Sequence, residues 1–314
     1  MVAHNVMPAK AGTHATVQVH YDTGVDPRLR GDDVGARGLA VIGRAASSRL
    51  LPRIALNGAA AITLAYILTP LVFVTWLAFF LQEIPSFPPE GYSLRWFRAI
   101  AGNDRFVSGF WLSLQLAVIA TSIGLCLGLP AALCLSRFRF KGREALSSLL
   151  LLPLVVPGIV LGIALYVFHV EVEIATGLPI LGSLGGLIAG HVLIVIPWTV
   201  RLVTASLAGL DRSIEEAAQS LGANRFTTFR RVTLPAIRPG VVAAALFGFV
   251  SSFGNLEMSL FLVGPGRTTL PIAILQYLEW KIDPTIAAVS VLQIGLIAVA
   301  MLITDRFVKI SRVV

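Results

Sequence analysis

Residues 251–259 read SSFGNLEMS in a chain whose long stretches otherwise hold few polar side chains. A carboxylate, a carboxamide and several hydroxyls so close together could meet a cationic solute. Glu257 is the acidic residue among them, and a carboxylate inside a bilayer costs several kcal/mol unless it faces a partner or water. On a continuous helix Ser252, Asn255 and Ser259 recur at i, i+3 and i+7 and share one face. Glu257 falls roughly opposite, with Phe253, Gly254 and Phe261. Two readings follow: Glu257 lines a cavity, or it pairs with Arg201 or another basic group on a neighbouring helix. Ser252, Asn255 and Glu257 are the candidate translocation-path residues.

Enzyme chemistry finds no foothold. A phosphate cradle needs G-x-x-x-x-G-K-[ST]; GPGRTT at 264–269 departs from it. No HExxH and no Cys/His ligand cluster is present, so no catalytic, cofactor or metal site is assigned. His169 and His191 stand alone and read as packed or interfacial. Cys126 and Cys134 lie eight residues apart on one predicted helix, about 12 Å along its axis and too far for a disulfide.

A second patterned stretch, EEAAQSLGANRFTTFRRVTLPAIRPG, covers 215–240. Ser213 and Glu216 have the S-x-x-E spacing of a capping box, which predicts a helix start there. Glu215 and Glu216 suit its positive end. Ala217 and Ala218 form helix without bulk and leave room for another surface. Gly222 is the expected stop. Asn224 is placed to cap a second short helix carrying Phe226 and Phe229, and Leu234-Pro235 is expected to end it. The outcome is a compact helix–turn–helix suited to docking.

These groups must be held by membrane helices. The chain of 314 residues is 56% hydrophobic and 13% charged, about half the charged fraction of a soluble protein. Several apolar runs reach the roughly 20 residues that cross a bilayer, and they do not alternate as barrel strands do. The predicted fold is all-α and polytopic, with spans at 54–81, 111–136, 145–169, 182–207, 241–263 and 285–304. Pro70, Pro130, Pro157 and Pro197 are tolerable within them as kinks.

Charge orients the spans. One set of loops and ends carries Arg44, Arg49, Arg53, Arg137, Arg139, Lys141, Arg143, Arg212, Arg225, Arg230, Arg231, Arg238, Arg306, Lys309 and Arg312. The other carries Arg95, Arg98, Arg105, Arg267 and Lys281. Both termini and the 215–240 stretch are therefore expected in the cytoplasm. The same bias explains the net charge of +8 without a nucleic-acid partner.

The domain plan is a disordered tail at 1–45 and a six-span domain at 50–310 with its polar loop at 208–236. The tail is rich in turn formers and poor in apolar periodicity, lacks a signal peptide's apolar run, and resembles translated repeat elements of some bacterial genomes. Prolines in 82–110 disfavour regular structure, and Tyr92, Trp96 and Phe97 suit an interfacial belt. Residues 264–284 are expected to form a short re-entrant or surface helix.

Glu216-Ala217-Ala218, three residues, Gly222, nine residues and Val232-x-Leu234-Pro235 resemble the EAA loop of binding-protein-dependent ABC transporter permeases, with valine for the usual isoleucine. The resemblance covers about residues 50–310. FPPEGYSLRWF and SFGNLEMSLFLVGPGRTTLPIAILQYLEW are similar to permeases of the spermidine/putrescine type, although Gly254-Asn255 stands where that type often has an acidic residue. Ferric iron and aminophosphonate importers share similar wording. The resemblance implies an inner-membrane permease subunit of an ABC importer, moving a small solute. It implies ATP hydrolysis by separate ATPase subunits, a second permease, identical or paralogous, and an external solute-binding protein. It assigns ATPase coupling to Glu215, Glu216, Ala217, Ala218, Gly222, Leu234 and Pro235. A secondary transporter is the competing class; it would favour inverted repeats with broken helix pairs and would not need this loop.

Overall fold

Apolar runs too long for strands can satisfy their backbone in lipid only as helices, and the computed structural model, which describes residues 55–307, is mostly helical. The helices are α1 (Ala55–Leu77), α2 (Arg95–Ala101), α3 (Asp104–Arg137), α4 (Arg143–Leu151), α5 (Gly158–Thr176), α6 (Leu184–Ala208), α7 (Arg212–Ser220), α8 (Arg225–Thr228), α9 (Leu234–Phe253), α10 (Ser259–Leu262), α11 (Leu270–Trp280) and α12 (Thr285–Phe307). Six of the described helices are long and apolar enough to cross a membrane. The tail expected at 1–45 lies outside the described residues, as do 50–54 and 308–310 of the expected six-span domain.

The described residues fall into two units that divide between 67 and 68. In the second, α3, α6 and α9 pack against one another and form the centre. Small residues let their backbones approach, as membrane helices require. Val195 of α6 fits against Gly124 of α3 on one side and Gly248 of α9 on the other. An added Cβ at Gly124 would lie 2.5 Å from Val195 Cγ1, and one at Gly248 2.8 Å. Ala120, Val192 and Val195 continue this contact. A separate apolar core joins Trp96, Ile100, Phe106, Phe253, Leu270 and Val289.

Two spans differ from their sequence reading. The third, expected unbroken over 145–169, is interrupted between α4 and α5 by a 3-10 turn at Leu152–Leu154 and an irregular stretch to Pro157. Pro153 and Pro157 each remove a backbone donor, and proline pushes its predecessor out of the α region. The fifth, expected at 241–263, begins earlier and stops at Phe253. Gly254 follows, and the Asn255 side chain accepts from the backbone N–H of Met258 (3.2 Å) and Ser259 (3.3 Å). Such local bonds compete with helix continuation, and the chain re-enters helix only at α10.

The loop expected to be irregular at 82–110 contains α2. Trp96 is buried rather than in an interfacial belt, and its indole N–H donates to the Phe80 carbonyl at 2.7 Å. Helix α11 is the short helix expected within 264–284. The corner after it is tightly built: the buried Asp283 carboxylate accepts from Tyr277 OH (2.8 Å) and the Thr285 N–H (2.9 Å), and pairs with Lys281 Nζ at 3.1 Å.

Candidate functional site

At one end of the bundle, α7 and α8 form the helix–turn–helix carrying the polar stretch. The first helix starts two residues earlier than the capping-box spacing suggests. Asp211 is the N-cap, and its carboxylate accepts from the Ser213 N–H at 3.0 Å. That bond and the Ser213 hydroxyl hold the Asp211 carboxyl below the usual carboxylate range. An aspartate caps at least as well as serine, so Ser213 lies inside the helix. The stop is as expected. Gly222 has φ +90°, its N–H donates to Gln219 (2.9 Å), and Ala223 N–H donates to Ala218 (3.1 Å). This pair of bonds is a Schellman ending, which favours glycine at the left-handed position. Asn224 caps α8 by accepting from Thr227 N–H at 2.8 Å.

Leu234-Pro235 does not end the second helix. Pro235 sits in the first turn of α9, and a π turn at Phe229–Thr233 joins α8 to α9 without a break. Proline's missing N–H leaves one ladder bond unmade, and the wider π turn accommodates it. Leu234 is half-buried and Pro235 exposed. The polar loop is thus helically continuous with a membrane span.

The two glutamates differ in exposure. Glu215 is mostly enclosed: Arg137 Nε lies 2.9 Å from one carboxylate oxygen, and Thr233 hydroxyl donates to the other at 2.6 Å. It fastens α7 to the end of α3 and to the π turn. Arg212 adds a bond to the Arg137 carbonyl. Glu216 and Ala217 face out, and Ala218 is half-buried. Ile214, Ala217, Ala218 and Leu221 follow helical spacing and form an apolar stripe. Ile214, Leu221 (90% exposed) and the nearby Phe226 have nothing covering them. The opposite face of α7 lines a cleft of about 470 Å³, with Arg137, Glu216, Gln219 and Phe229 among its walls.

The candidate path residues lie at the break in the fifth span. Ser252 and Ser259 do not face a cavity. Both are buried, and both bond to the buried His191 of α6: Ser252 Oγ lies 2.7 Å from Nδ1 and Ser259 Oγ 3.1 Å from Nε2. Asn255 is half-buried and engaged in capping. Glu257 is exposed in the loop between α9 and α10, and its carboxylate lies over Gly158, the first residue of α5, where a Cβ would overlap it. The expected alternative of a Glu257–Arg201 pair is not met. Neither residue makes an ion pair among the described residues, because the break lifts Glu257 off the continuous helix on which the pairing was drawn.

Sequence reading missed His191 as a partner of the serines, and Arg137 and Thr233 as partners of Glu215. In hindsight, a histidine and hydroxyls on different apolar spans were a signal, since buried polar groups seek one another. Among the described residues no cluster of three His, Cys, Asp or Glu could hold a metal.

Residues 124–312 match the family described as binding-protein-dependent transport system inner membrane component. The chain is 33% identical over 210 residues to the putrescine transport system permease protein PotI of Escherichia coli (strain K12), covering 67% of this chain and 75% of that protein. It is 28% identical over 221 residues to the spermidine/putrescine transport system permease protein PotC of Haemophilus influenzae, covering 69% and 84%. Its fold is similar to a chain in the crystal structure of a bacterial alginate ABC transporter in complex with an alginate pentasaccharide-bound periplasmic protein. There the TM-score is 0.63 at 16% identity, covering 84% of this chain and 95% of that one. The six apolar helices, the helical loop fused to the fifth span and these likenesses agree: the chain belongs to the family of binding-protein-dependent transport system inner membrane components and is the permease component of an ABC importer.

Proposed function

We propose that the chain forms half of a two-permease pore that imports a polyamine-type organic cation across a bacterial inner membrane, with both termini in the cytoplasm. The second permease is an identical or paralogous chain. ATP is hydrolysed by two separate subunits, and an external solute-binding protein delivers the cation. This chain itself carries no ATPase site and binds no cofactor. The observation behind the coupling role is the uncovered stripe of Ile214, Ala217 and Leu221 beside Glu216, on a loop continuous with α9. An apolar stripe outside the bilayer favours a protein partner. The loop's other end is fastened through Glu215 to α3, so a push on α7 reaches the centre of the bundle. The cationic solute is supported by the names of the similar permeases and by the exposed Glu257 carboxylate at the two breaks.

The test is uptake of radiolabelled putrescine into proteoliposomes holding the assembled transporter, with and without ATP. Uptake should require ATP; ATP-independent uptake driven by an ion gradient would instead identify a secondary transporter. Gly222→Asp forces a Cβ into a left-handed position and adds a charge beside the stripe. The variant should insert normally, lose the co-purified ATPase and lose uptake. Wild-type uptake by Gly222→Asp would remove the coupling assignment.

A further inference from the structure

His191 is bonded through both ring nitrogens to residues on either side of the break in the fifth span. Ser252 is the penultimate residue of α9 and Ser259 the first of α10. The protons can be ordered from the partners. Ser259 hydroxyl donates to the Asn255 carbonyl at 2.8 Å, so towards His191 its oxygen can only accept. With that bond made, the matching tautomer places the His191 proton on Nε2 and lets Nδ1 accept from the Ser252 hydroxyl. One directed chain results, from Ser252 to His191, from His191 to Ser259, and from Ser259 to Asn255. No donor in it is wasted. Val192, next to His191, packs with Ala120, midway along α3, so the chain lies near mid-depth of the bundle. The second break, at Pro153–Pro157, opens at the same place: Gly158 faces the Glu257 carboxylate, and Gly162 faces Met258 Cα and the Glu257 carbonyl.

We propose that His191 is a positioning residue for transport: by tying α9 to α10 it sets the five-residue turn Gly254–Met258 and so holds the Glu257 carboxylate at the mouth of the two breaks, where it meets the cationic solute. The proposal rests on the reading of Glu257 as a path residue. Without His191 the two helix ends lose the hydrogen-bond partner they share on α6, and apolar packing such as Leu262 on Gly190 is what still holds α10 there. The buried bonds fix geometry as well as stability, since a buried polar network that is fully satisfied specifies one arrangement.

The experiment uses the assembled transporter in proteoliposomes with saturating putrescine-loaded binding protein. It measures putrescine imported per ATP hydrolysed in His191→Leu, Ser259→Ala, Glu257→Gln and the Ser259→Ala/Glu257→Gln double variant. A merely structural defect lowers uptake and ATPase together and leaves this ratio unchanged. The positioning role lowers the ratio roughly three- to tenfold in His191→Leu and Ser259→Ala, the scale of one or two lost hydrogen bonds. The double variant should fall no further than Glu257→Gln alone. Ser259→Ala deletes one oxygen and reads the same link if His191→Leu fails to reach the membrane. An unchanged ratio in Ser259→Ala, or additive losses in the double variant, overturns the proposal. An unchanged ratio in Glu257→Gln overturns the reading of Glu257 itself, and is distinguishable because that variant leaves the His191 chain intact.

Discussion

Asp283 shows how single side chains organise the end of the bundle opposite the docking loop. Burial alone would raise its carboxyl, but hydrogen bonds from Thr285, Tyr277 and Lys281 outweigh it and hold the group below the usual range. A depressed carboxyl contributes stability above its unfolded value, about 4, and loses it as pH falls through the lower folded value. The corner joining α11 to α12 should therefore keep its protection at neutral pH and open below about pH 4. Hydrogen exchange at the Thr285 amide checks this. Asp283→Asn should exchange fast at neutral pH as well, and slow exchange in that variant would remove the carboxylate from its central role.

At the scale of elements, packing of α3, α6 and α9 depends on the absence of side chains where Val195 enters. Valine is β-branched and stiff at χ1, so it cannot swing aside. Gly124→Ala should lower thermal stability by about 1–3 kcal/mol, the usual scale of overpacking. Gly295→Ala on α12, where a new Cβ meets nothing within 4 Å, should leave stability unchanged or slightly raise it through helix propensity. Thermal unfolding of the two variants in detergent compares them directly; equal melting temperatures would contradict the close-packing account.

For the whole molecule, the Lys/Arg asymmetry across the loops predicts the orientation. Cysteines placed at Ser86 and Thr268 should react with an impermeant thiol reagent added outside, and those at Gly142 and Thr227 should not. The inverse pattern would put α7 and α8 outside the cell, away from ATP.

Much of the plan was legible in one dimension. Apolar length gave six spans, because lipid admits no unpaired backbone and only helices of that length satisfy it. Local chemistry placed Gly222 and Asn224, because a left-handed stop and a side-chain cap involve only near neighbours. That Asp211 rather than Ser213 is the N-cap was less visible, since either side chain can accept from the N–H groups two or three residues beyond it. The halting of the fifth span at Phe253 and the continuity through Pro235 were decided by tertiary structure. A proline or glycine in an apolar run is compatible with a kink, a π turn or a full break, and packing against neighbouring helices selects among them. So too for the polar residues: periodicity on an unbroken helix set Glu257 opposite Ser252 and Ser259. The fold instead broke that helix, gave both serines to a histidine some sixty residues away in sequence, and left the carboxylate open. Pairings over that distance depend on which helix faces meet, and no local pattern encodes that.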